Sequence, residues 1–241
     1  MFLDRLAGLL SPGTDAIGDQ SLEMVRSFPI PEAWGGGLFQ LPEPVITALL
    51  RLIQRKRLLR VLELGTGFGA TACVIAAEFQ MRGRGRVTTI DRAAHEPVNV
   101  RALAEHCRIS PEHLDIVVDP SGYIWRLGRM IAAAGATGHL EPQFDLCLID
   151  GAHEWDPDAG AFFLADQLLR PGGYMVLDDL TFRLTDVPDA AARFPGRTAE
   201  QLETPQMRLV WDLLVRPHPD YGRFTEIYGG RVGVAKKRGW G

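Results

Sequence analysis

From residue 60 onward, apolar runs of strand length alternate with stretches in which apolar residues recur every three or four positions. The first run, Arg60-Val61-Leu62-Glu63-Leu64, breaks at the alternate glycines Gly65, Gly67 and Gly69 and passes into helical periodicity from Cys73 to Phe79. That is how a parallel strand hands its chain to a crossover helix. Arg86–Asp91, Leu114–Asp119, Phe144–Asp150 and Tyr174–Asp179 repeat the strand pattern. Helical spacing separates them over residues 98–107 and 125–134 and from an Asp156-Pro157 cap to Leu169, where Arg170-Pro171-Gly172-Gly173 predicts a stop. Upstream, Val45, Ile46, Leu49, Leu50 and Ile53 predict a helix over 42–59. Downstream, Met207, Leu209, Val210, Leu213 and Leu214 predict one over 206–216. Phe224–Tyr228 and Arg231–Lys236 then read as a hairpin across Gly229-Gly230.

Alternating strands and helices call for an α/β fold, a doubly wound, mostly parallel seven-stranded sheet closed by a C-terminal antiparallel hairpin. Residues 45–241 form that domain in this reading, and residues 1–44 an N-terminal arm. Glycines beside Trp34 and Phe39 allow residues 28–39 to be either a hinged flap or a packed arm, and residues 180–204 are too polar and broken to assign.

Composition narrows the class. A chain of 241 residues with 46% hydrophobic and 23% charged residues suits one globular domain with an ample core. A net charge of −4 argues against a nucleic-acid partner held mainly by charge, and Gln54-Arg55-Lys56-Arg57 reads as the solvated end of a helix. Cys73, Cys107 and Cys147 are widely spaced, without zinc or disulfide spacing, as expected of buried thiols in a reducing cytoplasm. The N-terminus lacks the pattern of a signal peptide, and no stretch is apolar and long enough for a bilayer, so no membrane partner is expected. Self-association into a homo-oligomer is left open.

The candidate chemistry sits at strand ends. Gly65, Thr66 and Gly67 open a turn where a ligand can approach the backbone and where unpaired N–H groups attract an anion, as in nucleotide-like cofactor sites. Gly65, Gly67 and Ala70 also fit the small-residue form of the dinucleotide fingerprint, so a nicotinamide enzyme remains open. Glu63 discriminates: a carboxylate there suits the ammonium, sulfonium or ribose of S-adenosylmethionine and would repel a pyrophosphate. Asp91, followed by Arg92, closes the second strand where an acidic side chain can accept both ribose hydroxyls. Asp119, with Ser121 and Tyr123, falls where an adenine edge would lie. Asp150, Asp178 and Asp179 offer hard oxygen ligands for Mg²⁺, and Asp150 also counts among the donor contacts. His153, on the loop after Asp150, has a pKa suited to taking a proton from an acceptor hydroxyl.

Glu-Leu-Gly-Thr-Gly-Phe-Gly at 63–69, Asp-Gly-Ala-His at 150–153 and the Asp-Asp pair at 178–179 together resemble the class I S-adenosylmethionine-dependent methyltransferases. Within that class they are similar to the small-molecule O-methyltransferases of the macrolide-sugar and metal-dependent catechol types. The resemblance covers about residues 45–180 and implies S-adenosylmethionine, Mg²⁺ and a hydroxylated small-molecule acceptor. His153 stands where the catechol branch has lysine, and Asp179 where it has asparagine. A fold kept without turnover, as a binding protein, is the alternative from another class.

Overall fold

A computed structural model describes residues 16–29, 41–95, 99–136 and 141–239. Seven strands form one mixed sheet: β1 (Arg60–Leu64), β2 (Arg86–Asp91), β3 (Leu114–Val118), β4 (Phe144–Ile149), β5 (Leu169–Leu177), β6 (Tyr221–Ile227) and β7 (Val232–Lys237), in the order β3-β2-β1-β4-β5-β7-β6. This is the doubly wound sheet with a terminal antiparallel hairpin that the strand–helix alternation predicts. Two compact units divide the chain, one of residues up to Tyr123 with Phe144–Leu146, the other of Ile124–Gln143 and residues from Cys147 onward.

In the first unit β1 pairs in parallel with β2, Arg60 opposite Arg86 through Leu64 opposite Ile90, and β2 with β3, Val87 opposite Leu114 through Asp91 opposite Val118. The helix Glu43–Lys56 buries Val45, Ile46, Leu49, Leu50 and Ile53, the residues its spacing marks as one apolar face. It ends at Arg57 in the left-handed region (φ 54), and the Leu58 N–H reaches back to the Ile53 carbonyl at 3.0 Å. Arg55, Lys56 and Arg57 are exposed there, as expected of a solvated helix end. Buried Asp145 accepts from the N–H groups of Leu59 (2.5 Å) and Arg60 (3.1 Å), which fixes where β1 begins. One helix was not foreseen. Ala16–Arg26 packs on the helix Ala70–Met81, burying Leu22 and Val25, although its sequence shares the polar character of the N-terminal arm. Phe28, just beyond it, is also buried and meets the His106 ring edge-on at 5.3 Å. The rest of the suggested flap, residues 30–39, lies outside the described residues.

In the second unit the expected cap at Asp156 is replaced. The helix Trp155–Leu168 starts after Glu154, whose N–H donates to the buried Asp158 carboxylate at 3.1 Å, and Pro157 occupies the third helical position. The expected stop at Arg170–Gly173 is instead the first part of β5, because the Gly172 N–H pairs with the Arg238 carbonyl at the end of β7 (3.3 Å). Residues 180–204 contain a 3₁₀ turn, Leu184–Asp186, and two short helices, Ala190–Arg193 and Ala199–Glu203. The helix predicted over 206–216 starts as an α-helix, Gln206–Leu209, and widens over Val210–Val215 into i→i+5 bonding, with the Arg216 N–H on the Trp211 carbonyl at 2.9 Å. The hairpin turn also differs: it takes four residues, 228–231, and Tyr228, Gly229 and Gly230 are all left-handed (φ 52, 65 and 85). Among the described residues no helix is long and apolar enough to cross a membrane.

Trp211 is fully buried and donates its indole N–H to Glu226 at 3.0 Å. A Cβ on Gly233 of β7 would meet its ring at 2.8 Å, so the missing side chain is what lets the indole lie on the sheet. Gly233→Ala is expected to lower stability by about 1–3 kcal/mol through overpacking. Urea unfolding measures this, and an unchanged midpoint would show that the ring can shift.

Candidate active site

The first unit supplies a turn shaped to receive a ligand. Gly65, Gly67 and Gly69 all have positive φ (93, 52 and 87), a path that residues with a Cβ follow only under strain. At Gly69 a Cβ would also lie 2.4 Å from a Val100 methyl. The turn is fastened to the end of β2. Asp91 Oδ2 accepts from the N–H groups of Thr66 (2.9 Å) and Gly67 (3.1 Å), and Oδ1 from that of Arg92 (2.6 Å). Asp91 thus stands at the expected strand end, but its carboxylate already organises the turn. A ribose contact would add to these bonds or replace one of them. The Asp119 N–H donates to the Asp91 carbonyl (2.9 Å), and its side chain accepts from the Ser121 N–H (3.0 Å) in the turn before the helix Gly122–Ala134.

Glu63 lies differently from the expectation that it faces a donor's cationic end. Its side chain is turned inward, with only 2% of the residue exposed, and accepts from Thr89 Oγ1 at 2.5 Å. Thr89 is linked in turn to Thr66 Oγ1 at 2.6 Å, so a chain of hydroxyls joins the buried carboxyl to the glycine turn. Burial pushes the Glu63 carboxyl up to about 8; the nearby Asp91 charge adds to this and the Thr89 bond opposes it.

The second unit gathers Asp150, His153 and Asp179, each with one ligand atom within 4.8 Å of the others. His153 Nε2 is 3.4 Å from Asp179 Oδ2 and 4.0 Å from Asp150 Oδ1. Both His153 and Asp179 are left-handed (φ 58 and 57), an unusual backbone state for residues with side chains. His153 Nδ1 is buried without a hydrogen-bond partner, and the ring stands edge-on to Phe182 at 5.4 Å.

Asp178 does not join this group, contrary to its assignment as a metal ligand. Just past the end of β5, Asp178, 1% exposed, is held by Arg231, with Nε to Oδ1 at 3.3 Å and Nη2 to Oδ2 at 3.2 Å. Burial and then the adjacent Asp179 charge raise its pKa, and Arg231 opposes both. Arg231 was missed in the sequence because a lone arginine after a hairpin turn carries no motif. The one available signal was that a buried Asp-Asp pair needs a counter-charge.

Two carboxylates and an imidazole suit a divalent cation that accepts nitrogen as well as oxygen better than they suit Mg²⁺, which prefers oxygen alone.

Residues 62–180 match the family model of a methyltransferase domain. No curated protein matches the chain. Among solved structures, it is similar to an O-methyltransferase from Bacillus cereus in complex with SAH, at 17% identity over 98% of this chain and 96% of that one, TM-score 0.59. The O-methyltransferase TomG from Streptomyces achromogenes, involved in tomaymycin synthesis and in complex with SAM, has 18% identity over 98% and 96%, TM-score 0.59. A methyltransferase of the mycinamycin biosynthetic pathway, in complex with Mg, SAH and mycinamycin VI, has 17% identity over 90% of this chain and 54% of its own, TM-score 0.55. At these identities the likeness establishes the fold, that of the class I methyltransferases.

The buried Glu63 makes stability depend on pH. The folded protein holds this proton more tightly than the unfolded chain, so the contribution is full below the ordinary carboxylate range and is lost as pH rises through about 8. Glu63→Gln, which keeps an acceptor for Thr89, is expected to stabilise the protein above pH 8 by on the order of a few kcal/mol and to flatten the melting temperature against pH. Parallel curves for the two proteins would contradict this.

Proposed function

We propose that this chain, whose residues 62–180 match the family model of a methyltransferase domain, transfers a methyl group from S-adenosylmethionine to a hydroxyl of a small molecule. The observation that carries the reading is the glycine turn tied to an acidic strand end, Asp91 on Thr66 and Gly67, lying inside the matched segment. In this reading Gly65, Thr66 and Gly67 pass beside the donor's methionyl part. Asp91, next to Arg92, takes the ribose, and Asp119 lies near the adenine. The inward Glu63 supports the turn through Thr89 and Thr66 rather than touching the donor.

Methyl transfer breaks the sulfur–methyl bond of the sulfonium and forms an oxygen–methyl bond, releasing S-adenosylhomocysteine and the acceptor's proton. The reaction needs alignment and a base more than covalent help. His153 takes the proton, and Asp150 and Asp179, 4.0 and 3.4 Å from its Nε2, stabilise the imidazolium that results. With Nε2 turned to the carboxylates, Nδ1 is the nitrogen left to act as base once the site rearranges around an acceptor.

Asp150 and Asp179, with His153 as the third donor, are the residues that would hold a divalent cation, and with such a cation on Nε2 His153 would serve as a ligand in place of the base. When bound, such a cation lowers the pKa of an acceptor hydroxyl and orients its oxygen. The mycinamycin-pathway enzyme, in complex with Mg and mycinamycin VI, supports an acceptor that is a hydroxylated natural product. The three cysteines are buried thiols outside any disulfide, which favours the cytoplasm as the place of work.

Calorimetric titration tests the donor directly. S-adenosylhomocysteine is expected to bind and NAD is not. Asp91→Ala should weaken the former about 10- to 100-fold, the loss expected when charged hydrogen-bond contacts are removed. Binding of NAD in its place would turn the assignment to an oxidoreductase. His153→Ala should lower kcat by about 10²- to 10⁴-fold and leave the affinity for S-adenosylhomocysteine intact. A wild-type kcat in that variant would remove His153 from the chemistry.

A further inference from the structure

Arg231 takes three of the four carboxylate oxygens of the Asp178-Asp179 pair. Its guanidinium meets both oxygens of Asp178, at 3.3 and 3.2 Å, and with the same Nη2 meets Asp179 Oδ1 at 2.8 Å. The oxygen left over, Asp179 Oδ2, is the one 3.4 Å from His153 Nε2. One cation can serve both residues just past β5 because Asp179 takes the left-handed conformation (φ 57) in place of the extended one. The arginine is itself fixed by its backbone. Its N–H donates to the Tyr228 carbonyl (3.2 Å), which closes the four-residue turn, and its carbonyl accepts from the N–H of Leu180, the residue after Asp179 (2.8 Å).

We infer that Arg231 is a positioning residue that withholds Asp178 from the reacting end and presents Asp179 through a single oxygen. This rests on the reading of Asp150, His153 and Asp179 as that end. A guanidinium fork suits the task because its planar donors match a carboxylate and also reach a second one, which the point charge of lysine does not do. Two effects follow. Asp179 Oδ2 is held in register with His153, and the carboxylate of Asp178 is kept from a divalent cation arriving at the site. Arg231 therefore sets how tightly such a cation is held.

Three variants separate this role from that of a plain counter-charge. Arg231→Gln frees Asp179 Oδ1 and leaves Asp178 buried without its partner. Arg231→Lys keeps the charge and loses the fork. The double change Asp178→Asn with Arg231→Gln removes both charges of the pair, so it keeps the experiment decisive where the single variant folds poorly. Mn²⁺ binding followed by electron paramagnetic resonance reads the site without donor or acceptor. It is expected to tighten by about tenfold in Arg231→Gln, and in the same direction in the double variant, the scale at which outer partners of a metal site alter affinity. In turnover the lysine variant should recover part of kcat. The double variant should stay well below wild type while its KM for S-adenosylmethionine stays unchanged. Unchanged or weaker Mn²⁺ binding in the folded variants overturns the inference, as does wild-type kcat in the double variant. If no hydroxylated acceptor supports turnover, the methyl-transfer reading fails and the Mn²⁺ measurement alone decides the role of Arg231.

Discussion

A carboxylate at the end of a buried strand must find donors or give up its charge, and the working parts of this protein are the ways that requirement is met. Asp91 is satisfied by backbone N–H groups, which turns a flexible glycine segment into a defined loop. Glu63 has the Thr89 hydroxyl and a rise in pKa. Asp178 has the Arg231 fork, and its neighbour Asp179 shares that arginine while turning its other oxygen to His153. An acidic residue at the same kind of position thus becomes a loop organiser, a buried acid, a structural anion or a partner of His153, according to what is placed opposite it.

Much of this was legible in the sequence. The bounds of β2, Arg86–Asp91, follow from its apolar run and acidic end, and the glycine turn follows from three glycines at alternate positions. Strand ends are readable because burial forces apolar runs and a carboxylate interrupts them abruptly. Three kinds of feature were not readable. The helix Ala16–Arg26 owes its place to packing against Ala70–Met81, and its sequence reads no differently from the rest of the N-terminal segment. The widened turns at Val210–Val215 depend on where the Trp211 ring must lie against Gly233, a contact between residues far apart in the chain. The division of labour between Asp178 and Asp179 depends on Arg231, some fifty residues later and brought in by a turn two residues longer than Gly229-Gly230 suggests.

The inward Glu63 is the most instructive departure. Its position before the first glycine suggested a direct contact with a positively charged donor, because a carboxylate two residues from a ligand-binding turn is close in sequence terms. On a strand, however, direction matters as much as proximity, and the side chain points into the core toward Thr89. Its influence on the turn is then indirect, carried by the Thr89 and Thr66 hydroxyls.

The central claim is that acidic strand ends, fixed by the groups placed opposite them, make the proposed donor turn and reacting end. A crystal structure with S-adenosylhomocysteine and Mn²⁺ tests it most directly. The account predicts ribose hydroxyls on Asp91, anomalous density at Asp150, His153 and Asp179 Oδ2, and Asp178 still held by Arg231. Nucleoside density away from the glycine turn, or Mn²⁺ ligated by Asp178 with Arg231 displaced, would contradict it.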